Sequence, residues 1–299
     1  MTPPQLLAPL AAIPAPPLGG FELGPLDVRF YGILIAFGAY LALQWTVKRY
    51  EAMGGDPALA ERAALAAILV GFLGARIGYV IPRLDRFLAD PVSILAIWEG
   101  GLALFGGLAA GTLAVIVVTR RGGGDVARMA DAVAPGLPLA QAIGRWGNYF
   151  NQELYGRPTD LPWALRVDDR TDRFRDVYPD ATTFHPTFLY ESLWNIGLVL
   201  LLVRLDRRRV LPRGALILVY AVGYGVGRFL VELVRIDTVE RYAGLSRNNW
   251  IALVLVIIGA VGLLRLRSGG SDGADVQDEL EDEPKDEGDP TLPEGDRTP

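Results

Sequence analysis

Long apolar runs set the first limit on how this chain folds. The clearest are Phe30–Val47, Ala63–Ile81, Leu113–Thr119 with a glycine-rich lead-in from Val92, Leu198–Val203 with a lead-in from Thr187, Ala215–Val234 and Trp250–Leu266. Most of them reach, with modest trimming or extension, the about 20 apolar residues that a helix needs to cross a bilayer. The weaker stretch Met129–Ile143 is interrupted by Asp131, Pro135 and Pro138. Counting it, we expect an all-α polytopic membrane protein with seven transmembrane helices; without it, six.

The basic residues between these runs indicate the orientation. Lysine and arginine are dense in the connections that follow the first, third and fifth predicted helices, and again after the last one. With seven spans all four of these segments lie on one side, which the positive-inside rule makes cytoplasmic. We therefore expect a multi-pass protein of the plasma membrane whose N-terminus lies outside and whose C-terminus lies in the cytoplasm.

The formal net charge of −5 hides two unlike parts. Residues 268–299 carry twelve acidic and two basic side chains and have no aromatic residue, whereas residues 1–267 carry a net charge of +5. Such an acidic segment cannot bury enough apolar surface to offset its ordering entropy. The sequence therefore predicts a membrane body over 1–267 and a disordered acidic tail over 268–299. Within the body, 151–186 is the one long segment that does not cross the membrane. We expect it on the extracytoplasmic side, either as a small folded cap or as a lid-like loop.

The composition also excludes several kinds of chemistry. There is no cysteine and a single histidine, His185. A thiolate metal site, a cysteine nucleophile and a zinc site built from several imidazoles are therefore excluded within one chain. We find neither a P-loop nor a dinucleotide-binding fingerprint.

The densest group of polar residues is the run Gly144–Pro158, which begins inside a segment of membrane depth. If the run is helical, Arg145, Asn148 and Gln152 share one face. A helix end with interfacial aromatic residues explains each residue singly but explains the whole run less well. An arginine at the bilayer centre costs about 2.5–3.5 kcal/mol on insertion scales and is usually functional or paired.

Three further groups of polar residues interrupt apolar segments. In the sixth predicted helix, Tyr220, Tyr224, Arg228 and Glu232 recur at a spacing of four, and Arg235 extends their face, as expected either for a cavity wall or for a structural ion pair. His185 and Glu191 lie at the start of the fifth predicted helix. Glu99 precedes a pair of glycines, which either pack helices or bring backbone N–H groups toward a ligand.

Together these motifs resemble the prolipoprotein diacylglyceryl transferase family. The run Gly-Arg-x-Gly-Asn-aromatic-x-Asn-x-Glu-x-x-Gly at Gly144–Gly156 is similar to its signature. The His-Pro-x-x-x-Tyr-Glu motif at His185–Glu191, the Tyr-x-x-x-Arg-x-x-x-Glu stripe at Tyr224–Glu232 and Arg-x-Tyr-Gly at Arg29–Gly32 also match, in the order of the family. The resemblance extends from residue 28 to about residue 266 and leaves out the acidic tail.

The resemblance implies seven membrane helices and a reaction without metal or cofactor. A diacylglyceryl group moves from phosphatidylglycerol to the lipobox cysteine thiol of a preprolipoprotein, and glycerol phosphate leaves. By this resemblance Arg145 corresponds to the lipid-phosphate arginine of the family and Arg228 to its second essential arginine. The residues expected to take part in catalysis are Arg145, Arg228, Glu153, His185 and Glu232, and those expected to bind substrate are Arg145, Arg29, Tyr31, Glu99, Asn148, Asn151, Gly156, Glu191, Tyr224 and Arg235.

One position departs from the family. Many members carry a histidine before the second glycine pair, where this chain has Phe105. Thiol ionisation needs little help, because a few per cent of a free cysteine is thiolate at pH 7. The harder step is expulsion of the phosphodiester oxygen, which arginine donors stabilise. We expect Glu153, Glu191, Glu232 or His185 to activate the thiol, with His185 favoured by its titration range and Glu153 by its position.

The competing function class is a transporter with an arginine-lined anion or lipid pathway. It shares buried arginines, glutamates and glycine-broken helices with the transferase. We see no internal repeat that relates two halves of the chain, and the polar motifs gather toward one face of the membrane rather than its midplane. We expect phosphatidylglycerol and a signal peptide as partners, and no nucleic acid.

Overall fold

Helices make up most of the computed structural model, which describes residues 12–24, 26–96, 100–168, 176–237 and 241–281, with side chains as far as Ser268. The helices are α1 (Phe30–Ala52), α2 (Pro57–Val80), α3 (Leu84–Ala89), α4 (Leu104–Arg121), α5 (Val126–Val133), α6 (Gly136–Phe150), α7 (Thr187–Arg208), α8 (Ala215–Glu232) and α9 (Arg247–Glu281). Three antiparallel strand pairs complete these elements: β1 (Gly20–Leu23) with β2 (Leu26–Arg29), β3 (Leu165–Arg166) with β4 (Thr183–Phe184), and β5 (Arg241–Tyr242) with β6 (Leu245–Ser246).

Among the described residues, six helical segments are long and apolar enough to cross a membrane. They are α1, the stretch Pro57–Ala89 that contains α2 and α3, α4, α7, α8 and the first part of α9 to Ser268. Large apolar side chains point outward along them, as Leu69 and Leu73 of α2 do, with 67% and 60% of their surface exposed. An apolar exterior of this kind suits lipid rather than water. The prediction of a polytopic helical membrane protein is confirmed.

The weak stretch Met129–Ile143 forms two shorter helices. The side chain of Asp125 caps α5 by accepting from the backbone N–H groups of Ala127 and Arg128, at 2.8 and 3.2 Å. Helix α5 ends at Val133 and α6 begins at Gly136, with Pro135 between them. Proline lacks the N–H that a continuous helix would need. A seventh crossing by one unbroken helix is therefore absent from the described residues, and the count of seven stays a prediction.

Glycines let α2 and α4 approach closely. A Cβ atom placed on Gly74 would lie 2.3 Å from the Ala110 side chain and 2.7 Å from the Gly106 carbonyl oxygen. The two helices therefore pack backbone to backbone, and α4 finds its main partners in α2 and α5. Phe105, the second residue of α4, is half exposed.

The paired glycines ahead of α4 belong to a loop that Arg76 holds. Gly100 and Gly101 adopt positive φ angles of 84° and 83°, which glycine tolerates. Their carbonyl oxygens accept from Nη1 of Arg76 at 2.7 and 3.0 Å, and the other donors of Arg76 reach the carbonyls of Ser93 and Ile94. The loop therefore turns carbonyls toward a buried cation rather than N–H groups toward a ligand.

The segment 151–186 includes a folded cap with its own apolar core. Tyr155, Leu165, Val167, Phe184 and Phe188 are all buried against one another. Ile13 extends the small sheet: its N–H donates to the Ala164 carbonyl at 2.8 Å, and its carbonyl accepts from Arg166 N–H at 2.9 Å. The core favours the cap over the loop for the described residues, while 169–175 lie outside them.

A group of polar residues ties four helices together near the start of α8. Arg49 of α1 donates to Asp206 of α7 at 2.7 Å and to the carbonyls of Asp131 and Ala132. The Asp131 carboxylate of α5 accepts from three backbone N–H groups at the start of α8, those of Gly214, Leu216 and Ile217. We call Arg49, Asp131 and Asp206 the Arg49 cluster.

The last helix continues past the predicted start of the tail. Helix α9 runs from Arg247 to Glu281 without a break. Residue 268 is therefore not a helix end, because helical backbone propagates from the membrane span once that span is formed. The division of the chain into a body and a tail at this residue stays a prediction. Residues 282–299 lie outside the described residues, so the disorder expected there stays a prediction.

Candidate active site

The motifs that are far apart in sequence meet at one end of the helices. The C-terminal part of α6 carries Arg145, the first turns of α7 carry Glu191, and the last turn of α8 carries Arg228 and Glu232. Arg235 follows α8. These five residues, Arg145, Glu191, Arg228, Glu232 and Arg235, form what we call the arginine cluster.

Glu191 is the centre of the arginine cluster. Its side chain is only 6% exposed, and its two oxygens face three guanidinium groups. Nη2 of Arg145 lies 2.7 Å from Oε2, whereas Nη1 of Arg228 and Nη1 of Arg235 lie 3.4 and 3.7 Å from Oε1. One buried carboxylate therefore brings three cations together, and two of the three contacts are long.

Glu232 holds Arg228 from the opposite side. Oε2 of this fully buried carboxylate lies 2.7 Å from Nη2 of Arg228. Its Oε1 accepts from the hydroxyl of Ser246 and from the side-chain amide of Asn248, both at 2.9 Å. Since Glu232 is enclosed by these partners, its position suits orientation of Arg228 rather than contact with a thiol.

Asp237 completes the surroundings of Arg235. The guanidinium donates from Nε to Oδ1 of Asp237 at 2.7 Å and also pairs through Nη2. Burial alone would raise the pKa of Asp237, but the hydrogen bond and charge of Arg235 lower it below its usual value. Asp237 is therefore ionised near neutral pH, and the three arginines face three carboxylates.

Asn148 joins the arginine cluster to Glu153. Its Oδ1 accepts from Nη1 of Arg145 at 3.3 Å, and its Nδ2 donates to Oε1 of Glu153 at 2.9 Å. Asn151 donates to the same oxygen at 3.2 Å. Two amides thus orient the exposed Glu153 carboxylate, and Asn148 connects it to the partly buried Arg145. An accessible, oriented carboxylate of this kind can accept a proton.

His185 lies in a chain of aromatic side chains outside the arginine cluster. The indole N–H of Trp163 donates to the Tyr190 hydroxyl at 3.0 Å, and this hydroxyl lies 3.1 Å from Nδ1 of His185. Trp163 and His185 therefore share the Tyr190 hydroxyl as a hydrogen-bonding partner. Burial and then the charge of Arg157 lower the pKa of His185 below its usual value.

A small pocket adjoins Arg228 and Glu191. Its other walls are Trp194 and Asn195 of α7 and Tyr224 and Gly227 of α8. Tyr224 stacks on Tyr220 with ring centres 5.8 Å apart, and Tyr220 accepts from the amide of Gln141 at 2.8 Å. The tyrosine stripe of α8 therefore lines the space next to the arginine cluster.

Other predicted site residues contact the arginine cluster less directly, and Gly156 reaches it through a backbone bridge to Arg235. Arg29 pairs with Asp27 in an exposed salt bridge of 2.7 Å. Gly156 is buried between two chain segments, because a Cβ there would lie 2.8 Å from Cβ of His185 and 3.0 Å from the Val234 carbonyl oxygen. Tyr31 stacks its ring over Gly147, where a Cβ would approach it to 2.6 Å. Glu99 lies outside the described residues.

Several residues of the site were missed in the sequence. Ser246 and Asn248 support Glu232, Asp237 supports Arg235, and Asn195 lines the pocket. Asn195 offered a signal, since it is a polar residue four positions after Glu191 in an apolar helix. The others lie in or beside a turn between α8 and α9, where polar residues are ordinary.

The whole membrane body is similar to proteins of one family. A family model described as prolipoprotein diacylglyceryl transferase matches residues 19–265. Three similar proteins, each named phosphatidylglycerol–prolipoprotein diacylglyceryl transferase, come from Frankia alni (44% identity, covering 86% of this chain and 68% of the relative), Streptomyces griseus (43%, 84% and 77%) and Corynebacterium efficiens (44%, 89% and 86%).

Proposed function

The chain belongs to the prolipoprotein diacylglyceryl transferase family, and we propose that it transfers the diacylglyceryl group of phosphatidylglycerol to the lipobox cysteine of a preprolipoprotein. In this reaction the cysteine sulfur attacks the glyceryl carbon that carries the phosphate ester. The carbon–sulfur bond forms as the carbon–oxygen bond breaks. Glycerol phosphate leaves with the electron pair, and the thiol proton passes to a base. Family membership does not favour the alternative of an anion pathway.

The observation that carries this proposal is the convergence of three arginines on Glu191. Arg228 and Arg235 make only long contacts to this carboxylate, at 3.4 and 3.7 Å. Their guanidinium N–H groups can therefore donate hydrogen bonds to a lipid phosphate. A guanidinium has five N–H groups, and its fork matches two phosphate oxygens. Charge grows on the leaving phosphate in the transition state, so donors already held in place stabilise that state more than the ground state.

Glu153 is the best candidate for the proton acceptor. Glu191 and Glu232 are both buried and paired with arginines, whereas Glu153 is exposed and held by two amides. Asn148 links it to Arg145, so the base and the phosphate donor are set at a fixed separation. Because a thiol ionises readily near neutral pH, a weak base suffices.

His185 fits this role less well than its titration range suggested. Its Nδ1 is hydrogen-bonded with the Tyr190 hydroxyl and its ring packs near that of Tyr190, so its contacts lie in the cap rather than in the arginine cluster. We assign it to the cap, where it connects Tyr190 and Trp163. Phe105 lies at the start of α4, and with Glu153 as the acceptor no histidine is needed at that position.

We also propose the seven-span topology for this chain, with the α5–α6 pair as one broken crossing. The arginine cluster and the cap then lie outside, and the Arg49 cluster lies on the cytoplasmic side of the plasma membrane. Since the chain has no cysteine, single cysteines report sidedness cleanly. Asp160→Cys should react with an impermeant maleimide on intact cells and Arg208→Cys should not. The reverse pattern contradicts this orientation.

The direct test of the proposed reaction uses purified protein in phosphatidylglycerol nanodiscs with a lipobox peptide. We expect the peptide to gain the mass of one diacylglyceryl group and glycerol phosphate to appear in equal amount. A peptide whose lipobox cysteine is replaced by serine is the matched control. An unmodified cysteine peptide, with a folded protein and with phosphatidylglycerol present, contradicts the proposal.

A further inference from the structure

The pocket beside Arg228 contains a buried side chain that the reaction above does not use. Asn195 is 3% exposed, and its Oδ1 has no hydrogen-bond partner in the part of the chain that the structure describes. Nor does any hydrogen bond join its Nδ2 to another of the described residues. Buried amides are nearly always bonded, so an isolated one usually marks a bound water or ligand. Here the amide also lines a pocket next to a charged site.

The pocket lies on the membrane side of the arginine cluster. Asn195 follows Glu191 by one helical turn in α7, and Tyr224 precedes Arg228 by one turn in the antiparallel α8. With a rise of 1.5 Å per residue, both are about 6 Å further from the ends of these helices. If the phosphate of a lipid contacts Arg228, its diacylglyceryl part extends toward the middle of the membrane, past Asn195 and Tyr224. Its headgroup then points toward the ends of the helices.

The shape of the pocket depends on a tryptophan and a glycine. The indole N–H of Trp194 donates to the Gly223 carbonyl at 2.9 Å, so the ring lies across α8. A Cβ on Gly227 would come within 2.1 Å of the indole nitrogen. Trp194 is also 40% exposed, so this wall separates the pocket from the lipid-facing surface. The pocket is charged at Glu191 and Arg228, and away from this pair it is lined by Trp194, Gly227, the Tyr224 ring and the Asn195 amide. That part suits a group that is apolar apart from a hydrogen-bond acceptor.

Building on the proposed function, we propose that Asn195 is a specificity-determining residue that donates a hydrogen bond to an ester carbonyl of the diacylglyceryl group. The carbonyls of the ester linkages are the polar atoms that lie between the phosphate and the acyl chains. A dialkyl lipid has the same phosphate, headgroup and chain length, but an ether oxygen and a methylene replace each ester. The pocket therefore distinguishes ester-linked from ether-linked phosphatidylglycerol.

The test compares diacyl with dialkyl phosphatidylglycerol of equal chain length as donors. For the natural protein we expect kcat/KM to be about tenfold higher with the diacyl lipid, the factor that one hydrogen bond supplies. In Asn195→Leu this ratio should fall to about one, because leucine has a similar size and no donor. Since the substitution removes an isolated buried amide, its Tm should equal or exceed that of the natural protein.

The control is Leu198→Val, a buried change one turn further along α7 that removes no polar group. It should lower the two rates together and keep the ratio. An equal rate with both lipids in the natural protein, or an unchanged ratio in a folded Asn195→Leu protein, overturns the proposal. The shift of Tm produced by each lipid repeats the comparison without catalysis. Absence of transfer from both lipids contradicts the proposed function alone, and the lipid-induced Tm shifts then still decide the role of Asn195.

Discussion

The arginine cluster and the Arg49 cluster lie at opposite ends of the same helices, and they differ in what surrounds the guanidinium groups. Arg49 donates to two main-chain carbonyls and to Asp206, while Asp131 accepts from three backbone N–H groups. In the arginine cluster the partners are side chains, and three arginines share two glutamates at separations up to 3.8 Å. Most partners in the Arg49 cluster are backbone groups, whereas those in the arginine cluster are side chains.

This difference separates a cluster that holds helices together from one that can accept a ligand. Main-chain partners move only if the fold moves, so the Arg49 cluster fixes where α8 begins. Side-chain partners can be exchanged for phosphate oxygens without refolding. A buried ion cluster is by itself weak evidence for a contribution to stability. Variants in each cluster therefore test whether the two clusters differ in role.

The largest expected effect is on transfer. Arg145→Ala or Arg228→Ala should each lower kcat/KM about 10³-fold, the upper range for loss of one donor to a developing anion. Lysine at either position should restore little, because it lacks the planar fork. The rate of thioether formation on a lipobox peptide measures this. The exposed Arg62, changed to alanine, is the control, and near-normal rates in the cluster variants would refute the phosphate role.

A smaller loss is expected when the proton acceptor is removed. Glu153→Gln keeps the size of the side chain but replaces one carboxylate oxygen by an amide, and we expect about a 10²-fold lower kcat, within the range for general base catalysis. Raising the pH should recover part of the rate, because the thiol then ionises without help. Glu22→Gln, on the exposed strand β1, serves as the matched control. Full activity in Glu153→Gln removes Glu153 from the mechanism.

At the opposite end the expected effect is on stability. Asp131→Asn places an amide against backbone N–H groups, so at least one of them loses its acceptor, which costs about 2 kcal/mol. The Tm should fall while the transfer rate of the folded protein stays within about twofold. Asp125→Asn is the control, since asparagine caps a helix as well as aspartate. If Asp131→Asn instead abolished transfer at unchanged Tm, the division between the clusters would fail.

The smallest effect is expected in the cap. His185→Gln should change the transfer rate less than about threefold and leave its pH profile in place. Because the folded-state pKa of His185 lies below the usual 6.5, the unfolded chain takes up a proton first as the pH falls. The imidazole therefore destabilises the fold in acid, and Tm measured against pH should fall less steeply for His185→Gln. A shifted pH–rate profile would instead indicate that His185 takes part in proton transfer.

Much of the polar site was visible in the sequence because its parts occur as regular patterns in apolar helices. The spacing of Tyr224, Arg228 and Glu232 by four placed them on one face of α8, and Arg145 stood out as a cation at membrane depth. The central position of Glu191 among the three arginines could not be predicted from the sequence. Nothing in the spacing says that a carboxylate of α7 faces arginines of α6 and α8, since that depends on how the three helices pack.

The preference for His185 as a base shows a second limit of the sequence. A lone histidine near a reaction suggests a proton acceptor, but Nδ1 of His185 is hydrogen-bonded with Tyr190, whose hydroxyl also accepts from Trp163. The glycine pair at Gly100 was equally ambiguous. Its carbonyls turn toward Arg76, which comes from another helix.

The sequence by itself determined that this chain is a helical membrane protein, which residues interrupt its apolar spans, and which family it belongs to. These properties follow from local composition. Each span must form its own backbone hydrogen bonds in lipid, and a polar residue within a span is costly unless it is paired or functional. The tertiary structure decided which charges neutralise one another, which donors remain for a phosphate, and which amide is left without a partner. Such questions concern distances of a few ångströms between helices, and only the packing of those helices sets them.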